Sequence, residues 1–415
     1  MCIKNKILQK NNTFNLNNWI KFDILVHNNK FYFCDSTMEC WLESIKITPR
    51  LKYVINLLLL SIGLCIVVST DSRADPPNRT EDDSFKNPYI SEETRKPNLL
   101  DKVWWKFKYY MIQKPLVNDN FEYTVIPPEY VNPPDRFQSG AVTWVGHATF
   151  LIQIDNVNIL TDPVWSERVG ILNSKIGMQR YTPPGIPWEK LPPIDVVLIS
   201  HNHYDHLDYL TVMQLEEEHQ PLFFVPLGIG DLLEEWGVTH YSEKDWWEGE
   251  MVNEVNFVAV PAQHQSRRAI HDHNATLWSG WVVEASRLTL YFAGDTGYFP
   301  GFKDIGERFG PIDLAMMPIG AYDPEWYNSL YHVNPAEALQ AFIDLDARYF
   351  AAMHWGTFDQ SEERLSDPPR DLMRYASSLN VDLDKLWIFA FGEQRAIPPR
   401  EPLETITLQE DQTGK

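Results

Sequence analysis

The segment Ser200-His201-Asn202-His203-Tyr204-Asp205-His206-Leu207-Asp208 constrains this chain more than any other. It follows the apolar run Asp195-Val196-Val197-Leu198-Ile199, which reads as a strand, so four candidate ligands fall on one loop at a strand end. A loop placed there can turn several side chains toward one point. Burying three imidazoles and a carboxylate together without a cation leaves polar groups to satisfy and a charge to neutralise. The fold must therefore build a metal centre at that strand end, with further ligands brought in from elsewhere. Those ligands are His, Asp or Glu, because the cysteines are Cys2, Cys34, Cys40 and Cys65 and none follows. The same fact excludes thiolate zinc sites, iron–sulfur clusters, a Cys nucleophile and a disulfide framework from everything beyond residue 65.

Three more candidates each close a strand-like run. His264 follows Phe257-Val258-Ala259-Val260, Asp295 follows Leu290-Tyr291-Phe292-Ala293, and His354 follows Tyr349-Phe350-Ala351-Ala352-Met353. Nitrogen and oxygen ligands of this kind suit zinc, with iron and manganese as alternatives. Short β-branched or aromatic runs predict strands over Ala141–Val145, Thr149–Ile154, Val157–Leu160, Val196–Ser200, Leu222–Val225, Val255–Val260, Gly280–Glu284, Leu288–Ala293, Leu314–Ile319 and Leu386–Ala390. Helices are expected over Leu207–His219, Asn334–Asp344 and Glu362–Ser378. Strands with helices between them indicate two helix-covered sheets in one α/β domain, placed at residues 137–401.

The front end differs in charge. Residues 1–74 hold nine Lys or Arg against five Asp or Glu, a net of +4, so the chain's total of −21 leaves −25 on the remainder. That acidity disfavours nucleic acid as a partner. The apolar run over 53–70, preceded by Lys46, Arg50 and Lys52 and followed by Ser72-Arg73-Ala74, fits a cleaved signal peptide, an uncleaved anchor or a buried helix. Met38 is an alternative start. Residues 75–136 read as a polar, Pro-rich linker and an arm. Within the arm, Trp104, Trp105, Phe107, Tyr109 and Tyr110 alternate with lysines, either for a membrane surface or as a helix or strand packed on the main domain. Residues 402–415 read as a tail.

The pattern HxHxDH with later His, Asp and His resembles the metallo-β-lactamase superfamily, whose fold is an αββα sandwich. Thr143-Trp144-Val145-Gly146-His147-Ala148-Thr149, Leu160-Thr161-Asp162-Pro163, SHNHYDHLDY from Ser200, Phe292-Ala293-Gly294-Asp295-Thr296-Gly297-Tyr298, His332-Val333 and His354-Trp355-Gly356-Thr357-Phe358 resemble the N-acylphosphatidylethanolamine-hydrolysing phospholipase D family more closely. The resemblance implies two zinc ions, one on His201, His203 and His264, the other on Asp205, His206 and His354, with Asp295 bridging. It assigns catalytic roles to Asp205, Asp295 and His332, and substrate contact to His332 and Tyr204. It further implies a phospholipid substrate, hydrolysed by zinc-activated hydroxide to N-acylethanolamine and phosphatidic acid. A membrane-associated or exported enzyme, dimeric in some relatives, is expected. The family tends to carry Asp where Asn334 stands; either residue caps a helix. Alternatives are another hydrolase on this scaffold, such as a lactonase, or a metal-retaining binding protein.

Beyond the ligands, His147 reads as a turn residue or a support for the site, and Asp162 and Asp208 as carboxylates able to orient imidazoles. Arg267 and Arg268 could meet phosphate. Trp236, Tyr241, Trp246 and Trp247 form either a lipid-facing wall or ordinary core.

Overall fold

The computed structural model describes residues 13–16, 20–27, 30–35, 78–80, 84–90, 99–108, 122–127, 140–269, 271–398 and 400. Contacts divide the chain into Met1–Asp75 and Pro76–Lys415. In the first unit, strands β1 (Thr13–Leu16), β2 (Ile20–His27) and β3 (Lys30–Asp35) pair antiparallel in that order. The apolar run over 53–70, Met38 and the 402–415 tail lie outside the described residues. Among the described residues no helix is long and apolar enough to cross a membrane.

The second unit is built on two seven-stranded sheets. In chain order the first holds β4 (Ala141–Gly146), β5 (Thr149–Ile154), β6 (Val157–Thr161), β9 (Val196–Leu198), β10 (Leu222–Pro226), β11 (Tyr241–Lys244) and β19 (Gln394–Ala396). The second holds β12 (Gly249–Val252), β13 (Val255–Val260), β14 (Gly280–Glu284), β15 (Thr289–Phe292), β16 (Ile312–Pro318), β17 (Ala347–Met353) and β18 (Leu386–Trp387). Each sheet combines an antiparallel meander with a run of parallel strands, β6-β9-β10-β11 in one and β15-β16-β17-β18 in the other. A small hairpin, β7 (Arg168–Gly170) with β8 (Ile176–Gln179), stands apart.

Parallel strands need crossover connections, and helices supply most of them. They are α2 (Tyr209–Glu218), α3 (Gly230–Trp236), α4 (Gly301–Phe309), α5 (Glu325–Asn328), α6 (Pro335–Asp344) and α7 (Asp367–Leu379), after an earlier helix α1 (Leu99–Lys108). Every residue of β16 is buried, as expected for a strand covered on both faces. Between the sheets Phe150, Leu198 and Phe224 meet Phe257, Trp281 and Leu290 in one core, with Phe224 and Phe257 stacked at 5.2 Å. Val212, Leu215 and Leu233 cover the outer face of the first sheet against Leu151, Val197 and Phe223. Leu339, Phe342 and Leu372 from α6 and α7 join the core of the second. This is the expected αββα order of layers.

Local signals explain most boundaries. Asn334 caps α6 as read: its side-chain oxygen accepts from the N–H groups of Ala336 and Glu337 at 3.0 Å, and Glu337 returns a bond to the N–H of Asn334. Helix α7 starts at Asp367 rather than Glu362, because Pro368-Pro369 suits a first turn whose N–H groups are unpaired anyway. Residues 362–363 form a loop instead, in which the Glu363 carboxylate accepts from the N–H groups of Ala321 and Asp323. In the Pro-rich stretch read as a linker, Phe85 is buried against Trp246, Leu277 and Trp278. The aromatic arm forms α1. Its Trp105 is buried, stacks on Tyr327 at 4.7 Å and donates to Glu362, while Leu100, Val103, Trp104 and Phe107 stay exposed.

Candidate metal centre

The expected ligands come together along one edge of the sandwich, where β9, β13, β15 and β17 all end. Strands aligned in two packed sheets finish at the same edge, so loops distant in sequence share one cleft. The loop after β9 contributes His201, His203, Asp205 and His206. Nε2 of His201 lies 2.8 Å from Nδ1 of His203, and Nε2 of His264 lies 3.2 Å from the same atom. On the other side, Nε2 of His206 lies 3.3 Å from Nε2 of His354 and 3.4 Å from Oδ2 of Asp205. Asp295 sits between the two groups, 3.2 Å from His206, 3.1 Å from His354 and 3.8 Å from His264.

Three of the outer nitrogens are held. Nδ1 of His206 pairs with Asp162 at 2.7 Å, Nδ1 of His264 with the Tyr331 carbonyl at 2.9 Å, and Nδ1 of His201 with Ser200 Oγ at 2.9 Å. Each bond fixes the ring and turns Nε2 into the cluster. Three residues beside the strand ends adopt positive φ without being glycine: His147 (52°), Asp162 (32°) and His354 (62°). Such conformations persist only where their surroundings hold them, and they gather at functional sites.

Electrostatics follows from burial and the carboxylates. Burial pushes His147 down to about 3 and His203 and His332 to about 4, and it also lowers His201 and His264. Burial opposes charge on His206 and His354 as well, but Asp295 and Asp205 outweigh it and raise both, His354 to about 9. Asp205 and Asp295 are held well down, chiefly by His206, against their own burial. The donor set fits a cation on a further observation. Oδ1 of Asp295 and Nδ1 of His332 are buried without a hydrogen bond, and ring nitrogens crowd one another at distances that leave no room for a proton on each. These residues could hold one metal ion on His201, His203 and His264 and another among Asp205, His206 and His354, where the His147 ring nitrogen also lies within reach.

Other expected residues fall in different places. His332 is at the site, with Nδ1 3.8 Å from Asp295 and its side chain 18% exposed. Half-buried Tyr204 donates its hydroxyl to the Arg268 carbonyl at 2.8 Å. Asp162 orients an imidazole, as read. Asp208 does not: it accepts from the hydroxyls of Ser166, Ser174 and Thr211 at the start of α2. Arg268 braces the ligand loop, its guanidinium on the carbonyls of Asn202 and Leu207 and 4.0 Å over the Tyr204 ring; the Arg267 N–H donates to Asn202. The aromatic group packs within the fold: Trp246 donates to the Trp278 carbonyl, Trp247 stacks on Phe309, Trp236 meets Tyr209 and Tyr241 donates to Glu234. His147 meets both of its readings: it occupies the turn between β4 and β5, and its ring reaches Asp205 at 2.9 Å. Gln360, which donates to Asp205 at 2.6 Å, carries no motif and was not expected.

Residues 157–355 match the family model of the beta-lactamase superfamily domain. The N-acyl-phosphatidylethanolamine-hydrolyzing phospholipase D 1 of Caenorhabditis elegans is 37% identical over 266 residues, which cover 59% of this chain and 74% of that protein. The mitochondrial N-acyl-phosphatidylethanolamine-hydrolyzing phospholipase D of Saccharomyces cerevisiae is 35% identical over 237 residues; this chain spans 55% of itself and half of that protein's length in the match. Among solved structures, Igni18, a metallo hydrolase of Ignicoccus hospitalis, aligns at 22% identity with a TM-score of 0.46, covering 62% of this chain and 97% of that one.

Proposed function

We propose a lipid phosphodiesterase on one premise: the chain belongs to the metallo-β-lactamase superfamily and, within it, to the family of the N-acyl-phosphatidylethanolamine-hydrolysing phospholipases D. The chain is a metallo-hydrolase of that fold. Our reading makes it a dinuclear zinc enzyme of phospholipase D type that hydrolyses N-acylphosphatidylethanolamine-like lipids to N-acylethanolamine and phosphatidic acid. The observation that carries it is the convergence of His201, His203, Asp205, His206, His264, Asp295 and His354 at one edge.

In this reading His201, His203 and His264 would hold one zinc ion and Asp205, His206 and His354 the other, with Asp295 lying between the two groups. When bound, such a pair supplies Lewis acidity to a phosphate and lowers the pKa of water. The chain's own residues do the rest. Asp162, Ser200 and the Tyr331 carbonyl orient the imidazoles. His332, kept neutral by burial and with Nδ1 free of hydrogen bonds, donates to a phosphate or leaving-group oxygen beside Asp295. An acidic chain repels phosphate at long range, so two dications are what make this site attractive to it. The substrate places the enzyme at a membrane surface, reached by export or by an anchor.

The test incubates the full chain with vesicles containing N-acylphosphatidylethanolamine, with and without a chelator. Mass spectrometry should find N-acylethanolamine and phosphatidic acid only without it. Metal-loaded protein that releases neither, yet opens lactones, would replace this reading with that of a lactonase.

A further inference from the structure

We propose that His147 and Gln360 are positioning residues that clamp the Asp205 carboxylate for the second metal ion, an inference that rests on the two-metal reading above. His147 occupies the turn between β4 and β5, almost completely buried and in the left-handed region. Its Nε2 meets Oδ2 of Asp205 at 2.9 Å, and Nε2 of Gln360 donates to that same oxygen at 2.6 Å. This is also the oxygen facing Nε2 of His206 at 3.4 Å and Nε2 of His354 at 3.8 Å.

The main chain of His147 does a second job. Its carbonyl accepts the His354 N–H at 2.9 Å, and its N–H donates to Thr357 Oγ1 at 2.8 Å. One residue of the first sheet thus fixes Asp205, on its own sheet's loop, through its side chain, and His354, from the second sheet, through its backbone. Two donors on one carboxylate oxygen remove the rotation that a free aspartate would have to lose when an ion arrives. The clamp acts on one side of the centre only, because His201 and His264 take their outer bonds from Ser200 and Tyr331. Both residues lie outside the stretch matched by the family model, 157–355.

The test measures zinc per full-length chain after dialysis against graded chelator, for the unchanged protein, His147→Leu, His147→Gln and Gln360→Leu. The unchanged protein should hold two ions. His147→Leu should lose one of them at roughly 10–100-fold weaker chelation while keeping the other, and Gln360→Leu should move the same ion in the same direction. His147→Gln keeps a side-chain donor and should restore most of the affinity. Cobalt substituted for zinc gives an absorption spectrum that reads the second site without turnover. Wild-type affinity for both ions in His147→Leu and Gln360→Leu would overturn the clamp. So would a loss in His147→Gln equal to that in His147→Leu, which would make the imidazole itself a ligand. An unchanged protein holding fewer than two ions would overturn the two-metal reading and this inference with it.

Discussion

Oδ2 of Asp162 lies 2.7 Å from Nδ1 of His206, and both side chains are fully buried. The same carboxylate accepts the Ser200 N–H at 2.7 Å and the Ser200 hydroxyl at 2.5 Å, so one residue from the end of β6 organises the start of the ligand loop after β9. Asp162→Asn keeps the shape but turns an acceptor oxygen into a donor. Metal affinity should fall by about 10–100-fold, read by chelator competition. Unaltered affinity would mean that Asp162 only fills space.

Gly294 precedes Asp295 with φ +59°, and a Cβ placed on it would lie 2.5 Å from Ser200 Cβ. Gly294→Ala therefore adds a clash to backbone strain, at a cost of about 1–3 kcal/mol for the strain alone. Gly237→Ala is the control, since Gly237 also has positive φ but nothing within 4 Å. Denaturant melts should show Gly294→Ala losing more stability, together with metal content. Equal losses would remove the clash from the explanation.

Arg268 holds two loop carbonyls, Asn202 at 2.9 Å and Leu207 at 2.8 Å, and covers the Tyr204 ring. A lysine cannot bridge both carbonyls and stack as well. Arg268→Lys should cost about 1.5–3 kcal/mol, the range for hydrogen bonds to charged groups. A melting midpoint equal to the unchanged protein's would contradict this bracing role.

The metal-free protein should be most stable near pH 6.5. His147 at about 3, and His203 and His332 at about 4, lie below the ordinary 6.5. They stay neutral when folded and are protonated in the unfolded chain below pH 6.5, so stability is lost as pH falls from there toward 4. His354, raised to about 9, works the other way: its contribution is complete below 6.5 and disappears as pH rises through 9. Thermal melts after chelation at pH 5.5, 6.5 and 9 should peak in the middle. A midpoint that rises from 6.5 to 5.5 would contradict the burial argument.

Strong local patterns were readable from sequence. The apolar runs at β5, β13 and β14 and the capped start of α6 coincide with their elements, because burial period and capping chemistry are written over a few neighbouring residues. Short elements were not: α3 and α4 span seven and nine residues, too few for a period to declare itself, and the β7–β8 hairpin carries no alternating apolar face. The ligand residues were legible as strand-end His and Asp. Their supports divided by chemistry. Asp162 stood in a recognisable motif, whereas Gln360 touches Asp205 only because two loops 155 residues apart share an edge. Asp208 orients no imidazole because its partners are the hydroxyls of Ser166 before β7, Ser174 in the β7–β8 turn and Thr211 in α2, a meeting that no local pattern announces.

The proposed reaction is attack of water on phosphorus at this centre. Hydrolysis of N-acylphosphatidylethanolamine by the full chain in ¹⁸O-water, followed by mass spectrometry, tests it most directly. Phosphatidic acid should carry one ¹⁸O and N-acylethanolamine none. Label in a released fatty acid, or in N-acylethanolamine, would place the attack on another bond and contradict it.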